Sequence, residues 1–175
     1  MTMAADVAKA GALLFAAVVL QVSIFGTLEI LRGTPDLVLV TLVAVALLRG
    51  ALFGAGAGFA AGLLLDTATL GTLGVSSLVL TLAGYWAGRY GETTGRDRGH
   101  APFLSVAGAT VGFAALALVL HFMLGEQPSA RLVLVDALPP TVLLNLVLTA
   151  PVYALCRRLL RPVERPSLAE VRLLG

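Results

Sequence analysis

From Leu37 to Leu65 the only charged residue is Arg49. With Pro35 and Asp36 the stretch reaches 31 residues, about 46 Å as a single helix. That overshoots a hydrocarbon core of about 30 Å and falls short of two full spans of about 20 residues each. A single span would also hold Arg49 near the bilayer centre, at about 2.5–3.5 kcal/mol on the insertion scale. Two short helices joined at Arg49-Gly50 keep the guanidinium at an interface, where it can snorkel. The sequence therefore predicts a helical hairpin with its turn at Arg49-Gly50.

The rest of the chain is built from the same material. Hydrophobic residues make up 58% and charged residues 13%, against about 45–50% and about 25% in soluble domains. Mean hydropathy is +0.96. A soluble fold with so few charges could not cover its own surface, which excludes a soluble globular enzyme and a disordered chain. The first apolar stretch, Ala8 to Leu28, is longer than the 7–15-residue core of a signal peptide, and no small-x-small cleavage site follows it. It reads as an uncleaved anchor. The prediction is an all-α polytopic membrane protein forming one integral membrane domain. Its six transmembrane helices lie near residues 8–28, 35–49, 51–66, 74–90, 102–124 and 137–160, and residues 161–175 form a cytoplasmic tail. Polar gaps at 91–100 and 125–136 read as loops, and Pro139-Pro140 falls where a helix accepts proline, in its first turn.

Charge placement orients the bundle. Six spans put both termini on one side. With that side cytoplasmic, Lys9, Arg49, Arg89, Arg96, Arg98, Arg157, Arg158, Arg161, Arg165 and Arg172 are inside, and only Arg32 and Arg131 are outside. This satisfies the positive-inside rule. A five-span alternative with an external N-terminus satisfies it nearly as well, but buries Arg49. The net charge of +2 thus records orientation and needs no nucleic acid to explain it. Tyr85, Trp86 and Tyr90 cluster at the cytoplasmic end of the fourth span, as an aromatic belt would.

Glycine spacing is the sharpest internal pattern. Gly50, Gly54, Gly58 and Gly62 recur every fourth residue, and Gly84 with Gly88 and Gly108 with Gly112 repeat the interval. On a helix these form stripes where backbones approach closely. Two uses are open: packing within the chain, or docking of another membrane protein. The run Gly54-Ala55-Gly56-Ala57-Gly58 resembles a dinucleotide loop only superficially, because no strand precedes it.

Chemistry-bearing residues are sparse. Asp66 reads as a loop carboxylate at the outer interface, with a polar cavity as the alternative. His121 and His100 lack further ligands at metal spacing. Asn145 and Thr149, at i and i+4, suit helix-to-helix hydrogen bonds. Ser76, Ser77 and Ser105 lack a histidine or acid at triad spacing, and Cys156 reads as packing at a helix end. The reading contains no catalytic, metal or cofactor site. Ser167 to Glu170 has a capping-box pattern, so the tail reads either as a short helix on the membrane lipids or as a frayed end.

Pro35-Asp36-Leu37-Val38-Leu39 opens the second span and Arg49-Gly50 closes it. Gly54, Gly58-Phe59 and Gly62-Leu63-Leu64-Leu65-Asp66 follow, then Leu73-Gly74 and Thr81-Leu82-Ala83-Gly84-Tyr85-Trp86-Ala87-Gly88-Arg89. This order resembles the MreD family of bacterial rod-shape-determining membrane proteins. The resemblance implies a non-enzymatic scaffold subunit of the cell-elongation machinery in the inner membrane, helping to direct lateral peptidoglycan synthesis and rod shape. It implies an MreC-like bitopic partner and, indirectly, an MreB-like filament and a RodA-like glycosyltransferase with its transpeptidase. It admits a second copy of the chain as a partner. It assigns no role to the motif's polar positions, Asp36, Arg49, Asp66 and Arg89, and it implies no cofactor. It also implies a helix arrangement similar to the substrate-binding subunits of energy-coupling-factor transporters. That similarity supplies a competing function, a vitamin-type small-molecule binding subunit.

Overall fold

The computed structural model describes residues 3–24, 33–94, 100–125 and 131–160. They form six α-helices: α1 (Met3–Ser23), α2 (Leu37–Arg49), α3 (Ala51–Thr69), α4 (Val75–Thr94), α5 (Ala101–Met123) and α6 (Leu138–Leu159). A π-helical stretch, Leu132–Ala137, leads into α6. Among the described residues there is no strand. Four helical segments are long and apolar enough to cross a membrane: Asp6–Ser23, Ala51–Thr69, Ala101–Met123 and Leu132–Leu159. Leu37–Arg49 is a shorter apolar helix. α4 has the length, at 20 residues, but its last turns carry Arg89, Glu92 and Thr93 and lower its hydropathy.

The 13-residue α2 is the hub. Every residue from Leu37 to Leu48 is buried, and α1, α3, α4, α5 and α6 all pack against it. A helix apolar on all sides is stable only when enclosed on all sides, and Leu-Val-Leu-Val-Thr-Leu-Val-Ala-Val-Ala-Leu-Leu supplies no face for anything else. At about 20 Å, α2 is shorter than the helices around it. α5 and α6 keep only one side on the core and turn Leu104, Val111, Val119, Leu143, Val147 and Leu155 outward.

Gly50 makes the expected break between α2 and α3. Its φ of 99° lies in the left-handed region, which glycine occupies at no steric cost. The α5–α6 connection differs from expectation. Pro139 and Pro140 do stand in the first turn of α6, but the helical path begins earlier, so Asp136 is helical and not in a loop. The prolines have no N–H to return to the carbonyls four residues back. The backbone widens just ahead of them, and the Leu138 N–H reaches five residues back to the Val133 carbonyl. Gly91 to Thr94, read as loop, continue α4. The expected tail, 161–175, and Arg96 and Arg98 lie outside the described residues.

Candidate functional site

The glycine stripe of α3 lies face to face with α4. A Cβ on Gly54 would strike the Gly84 carbonyl, and one on Gly84 would strike the Gly54 carbonyl. Gly58 meets the backbone of Leu80, Gly62 that of Ser76 and Ser77, and Gly88 that of Gly50 and Ala51. The contacts run in strict antiparallel register over about three helical turns. At this separation backbone touches backbone, and dispersion with weak hydrogen bonds replaces the hydrophobic drive that lipid removes. The Ser77 hydroxyl adds a bond across the same interface, donating to the Phe59 carbonyl at 2.8 Å. Gly50, Gly54, Gly58, Gly62, Gly84 and Gly88 thus all face into the α3–α4 contact.

Both ends of this hairpin are tied by carboxylates. Asp66, buried on the last turns of α3, accepts from the Gly74 N–H at 2.7 Å and the Ser76 N–H at 3.2 Å, where α4 begins. At the other end Glu92 of α4 accepts from the Ala51 N–H at 3.2 Å, where α3 begins. Each acid satisfies donors that a helix leaves unpaired and sits at the positive end of a helix dipole. Arg89 lies along α4 beside Glu92, Nη1 to Oε2 3.8 Å. Arg49, at the joint between α2 and α3, is enclosed and paired: its side chain is 10% exposed and its Nη2 lies 2.6 Å from Asp6 Oδ2 of α1.

The opposite end of α2 holds the densest polar layer. Asp36 caps α2, its Oδ1 accepting from the Leu39 N–H at 2.9 Å. Its own N–H donates to Asn145 Oδ1 of α6 at 2.7 Å. Asn145 Nδ2 donates to Thr110 Oγ1 of α5 at 3.0 Å. From α1, Gln21 brackets the same entry: its Nε2 donates to the Pro35 carbonyl at 3.1 Å, and its Oε1 accepts from the Leu37 N–H at 2.7 Å. Gly33 sits against the backbone of Pro140 and Thr141, with no room for a Cβ. Side-chain amides of α1 and α6 thus fix the Pro35-Asp36 turn, and the Thr110 hydroxyl of α5 braces Asn145. In a low-dielectric setting such bonds are strong when complete and costly when broken.

Two open grooves flank the hub. One, of about 590 Å³, lies between α4 and α5. Gly108 and Gly112 line it, and nothing lies within 4 Å of where their Cβ atoms would stand. Ser105 Oγ, beside them, is buried without a partner among the described residues. The other groove, of about 490 Å³, lies between α5 and α6 at the N-terminus of α2, with Asp36, Thr110 and Asn145 in its lining.

Several sequence candidates stay apart. The two histidines are at opposite ends of α5: His100 precedes it, and His121, near its far end, lines the groove beside Asp36. Among the described residues no three His, Cys, Asp or Glu converge. Thr149 donates to the Asn145 carbonyl within α6, not to another helix. Gln21, Asp6, Glu92 and Thr110 were missed as candidates. Gln21 left a trace, as the one amide in the first apolar stretch, whereas Asp6 and Glu92 sit among polar flanks that give no signal.

The chain matches, over residues 10–163, the family model described as rod shape-determining protein MreD. No curated protein and no solved structure matches it.

Proposed function

The chain belongs to the MreD family of rod shape-determining proteins, and on that premise we propose that it acts as a non-enzymatic scaffold of the cell-elongation machinery. In this reading it lies in the inner membrane with both termini in the cytoplasm. It binds an MreC-like bitopic protein and thereby helps place lateral peptidoglycan synthesis, with the MreB-like filament, the RodA-like glycosyltransferase and its transpeptidase as indirect partners. The observation that carries the reading is the contrast between two glycine faces. The α3–α4 stripe is filled by the chain's own backbone, whereas Gly108 and Gly112 of α5 stand uncovered in an open apolar groove. A groove floored by small residues suits a single transmembrane helix.

Gentle detergent extraction from native membranes, affinity capture of the full-length chain and mass spectrometry test this. Recovery of an MreC-like protein, reduced when Gly108 and Gly112 both become Leu, is the expected result. Its repeated absence would overturn the reading. A vitamin-type binding subunit is the second reading, and the polar-floored groove beside Asp36 favours it. A tight water-soluble ligand retained through purification would install that reading instead.

A further inference from the structure

We propose that the groove beside Asp36 holds the ammonium head of an aminophospholipid from the neighbouring leaflet. This goes beyond the scaffold reading and does not depend on it. At about 490 Å³ the groove falls in the size range of ligand sites, about 300–1,000 Å³. Its walls are apolar, with Leu39, Phe113 and Leu118, and its floor is polar, with Asp36, Thr110 and Asn145. The floor is rigid. Asn145 is fully buried and holds the Asp36 N–H and the Thr110 hydroxyl at once.

The charge of that floor selects the ligand. Asp36 is half-buried and accepts from the backbone N–H of Leu39. No Lys or Arg lines the groove; His121 of α5 does, engaged in an interaction of its own, and Asp36 makes no ion pair among the described residues. A carboxylate removed from water favours a cation or a strong donor beside it and rejects an anion. The source follows from the surroundings. Next to the groove α5 exposes Val119 and Phe122 and the π-helical stretch exposes Leu134, so an occupant enters from an apolar surface and lays its apolar part along apolar walls. A primary ammonium donates N–H bonds to the carboxylate, whereas a choline head carries the same charge with no N–H to give.

The test uses the full-length protein in nanodiscs of equimolar phosphatidylethanolamine and phosphatidylcholine, released for native mass spectrometry. The wild-type chain is expected to retain phosphatidylethanolamine over phosphatidylcholine by roughly tenfold, the scale of one charge-assisted hydrogen bond. Asp36→Asn keeps the helix cap and brings the ratio close to one. Ala117→Trp, on the groove wall, removes both adducts. Equal retention by the wild type overturns the proposal, as does an unchanged ratio in Asp36→Asn. If Asp36→Asn fails to fold, undiminished adducts on a folded Ala117→Trp overturn it alone. A preference erased by free ethanolamine assigns the groove to a soluble amine and overturns the lipid source.

Discussion

Asp66 and Glu92 cap each other's helices. Asp66, at the end of α3, holds the amides that begin α4, and Glu92, near the end of α4, holds the amide that begins α3. The hairpin is therefore closed by the same device at both ends. Removing Asp66 strands two N–H groups beside a buried site, and lost caps cost about 0.5–2 kcal/mol. Asp66→Ala is expected to lower the thermal midpoint in detergent by that order. Asp66→Asn is expected to lose less, since its carbonyl still accepts one of the two bonds. A midpoint unchanged in Asp66→Ala would remove the cap from the account.

The α3–α4 register makes a position-specific prediction. Gly58→Leu drives a side chain into the Leu80 backbone, and Gly84→Leu drives one into Gly54. Backbone cannot yield as a flexible side chain can, so the helices must separate. Gly56 lies on the same helix with nothing within 4 Å of its Cβ position. We expect Gly58→Leu and Gly84→Leu to fail to accumulate in membranes and Gly56→Leu to accumulate normally, as read by immunoblot of the membrane fraction. Comparable levels for Gly58→Leu and Gly56→Leu would refute the packing register.

Gly108 and Gly112 should behave in the opposite way. Both face open space, so leucine at either leaves the folded chain intact. The double variant is expected to keep wild-type thermal stability and to lose MreC-like partner recovery several-fold. Loss of stability instead would place an intramolecular contact on that face.

The two glycine faces show how far the sequence could be read. The four-residue interval announced close helix packing, and the long apolar stretches announced the helices. Neither could say which stripe was filled, because that depends on which helix lies alongside. The central place of α2 was legible in its unbroken apolar run only in retrospect, since a short span in lipid reads the same way. The polar ties were hardest to foresee. Asn145 reaches the backbone of a residue 109 positions away, and Asp6 finds Arg49 across the α1–α2 contact. Such pairs are set by topology, which local spacing does not encode. The breadth of the π-helical turn before Pro139 was hidden for another reason: the missing N–H groups predict a disturbance but not its form.

The Asp6–Arg49 pair supports a prediction with a defined sign. Arg49 is 10% exposed and Asp6 21%, so the guanidinium is the more enclosed partner. Deleting Asp6 leaves that charge without its counterion in an apolar setting, which costs more than the pair itself contributes. Asp6→Ala is therefore expected to lower the thermal midpoint. Arg49→Met, which replaces the charged head with an apolar chain, is expected to cost less, because Asp6 is the more open to solvent. In the double variant no charge is left to strand, so Arg49→Met should rescue most of the loss caused by Asp6→Ala. A double-mutant cycle on thermal midpoints in one detergent measures this coupling. Additive losses would show that Asp6 contributes nothing to holding Arg49 at the α2–α3 joint.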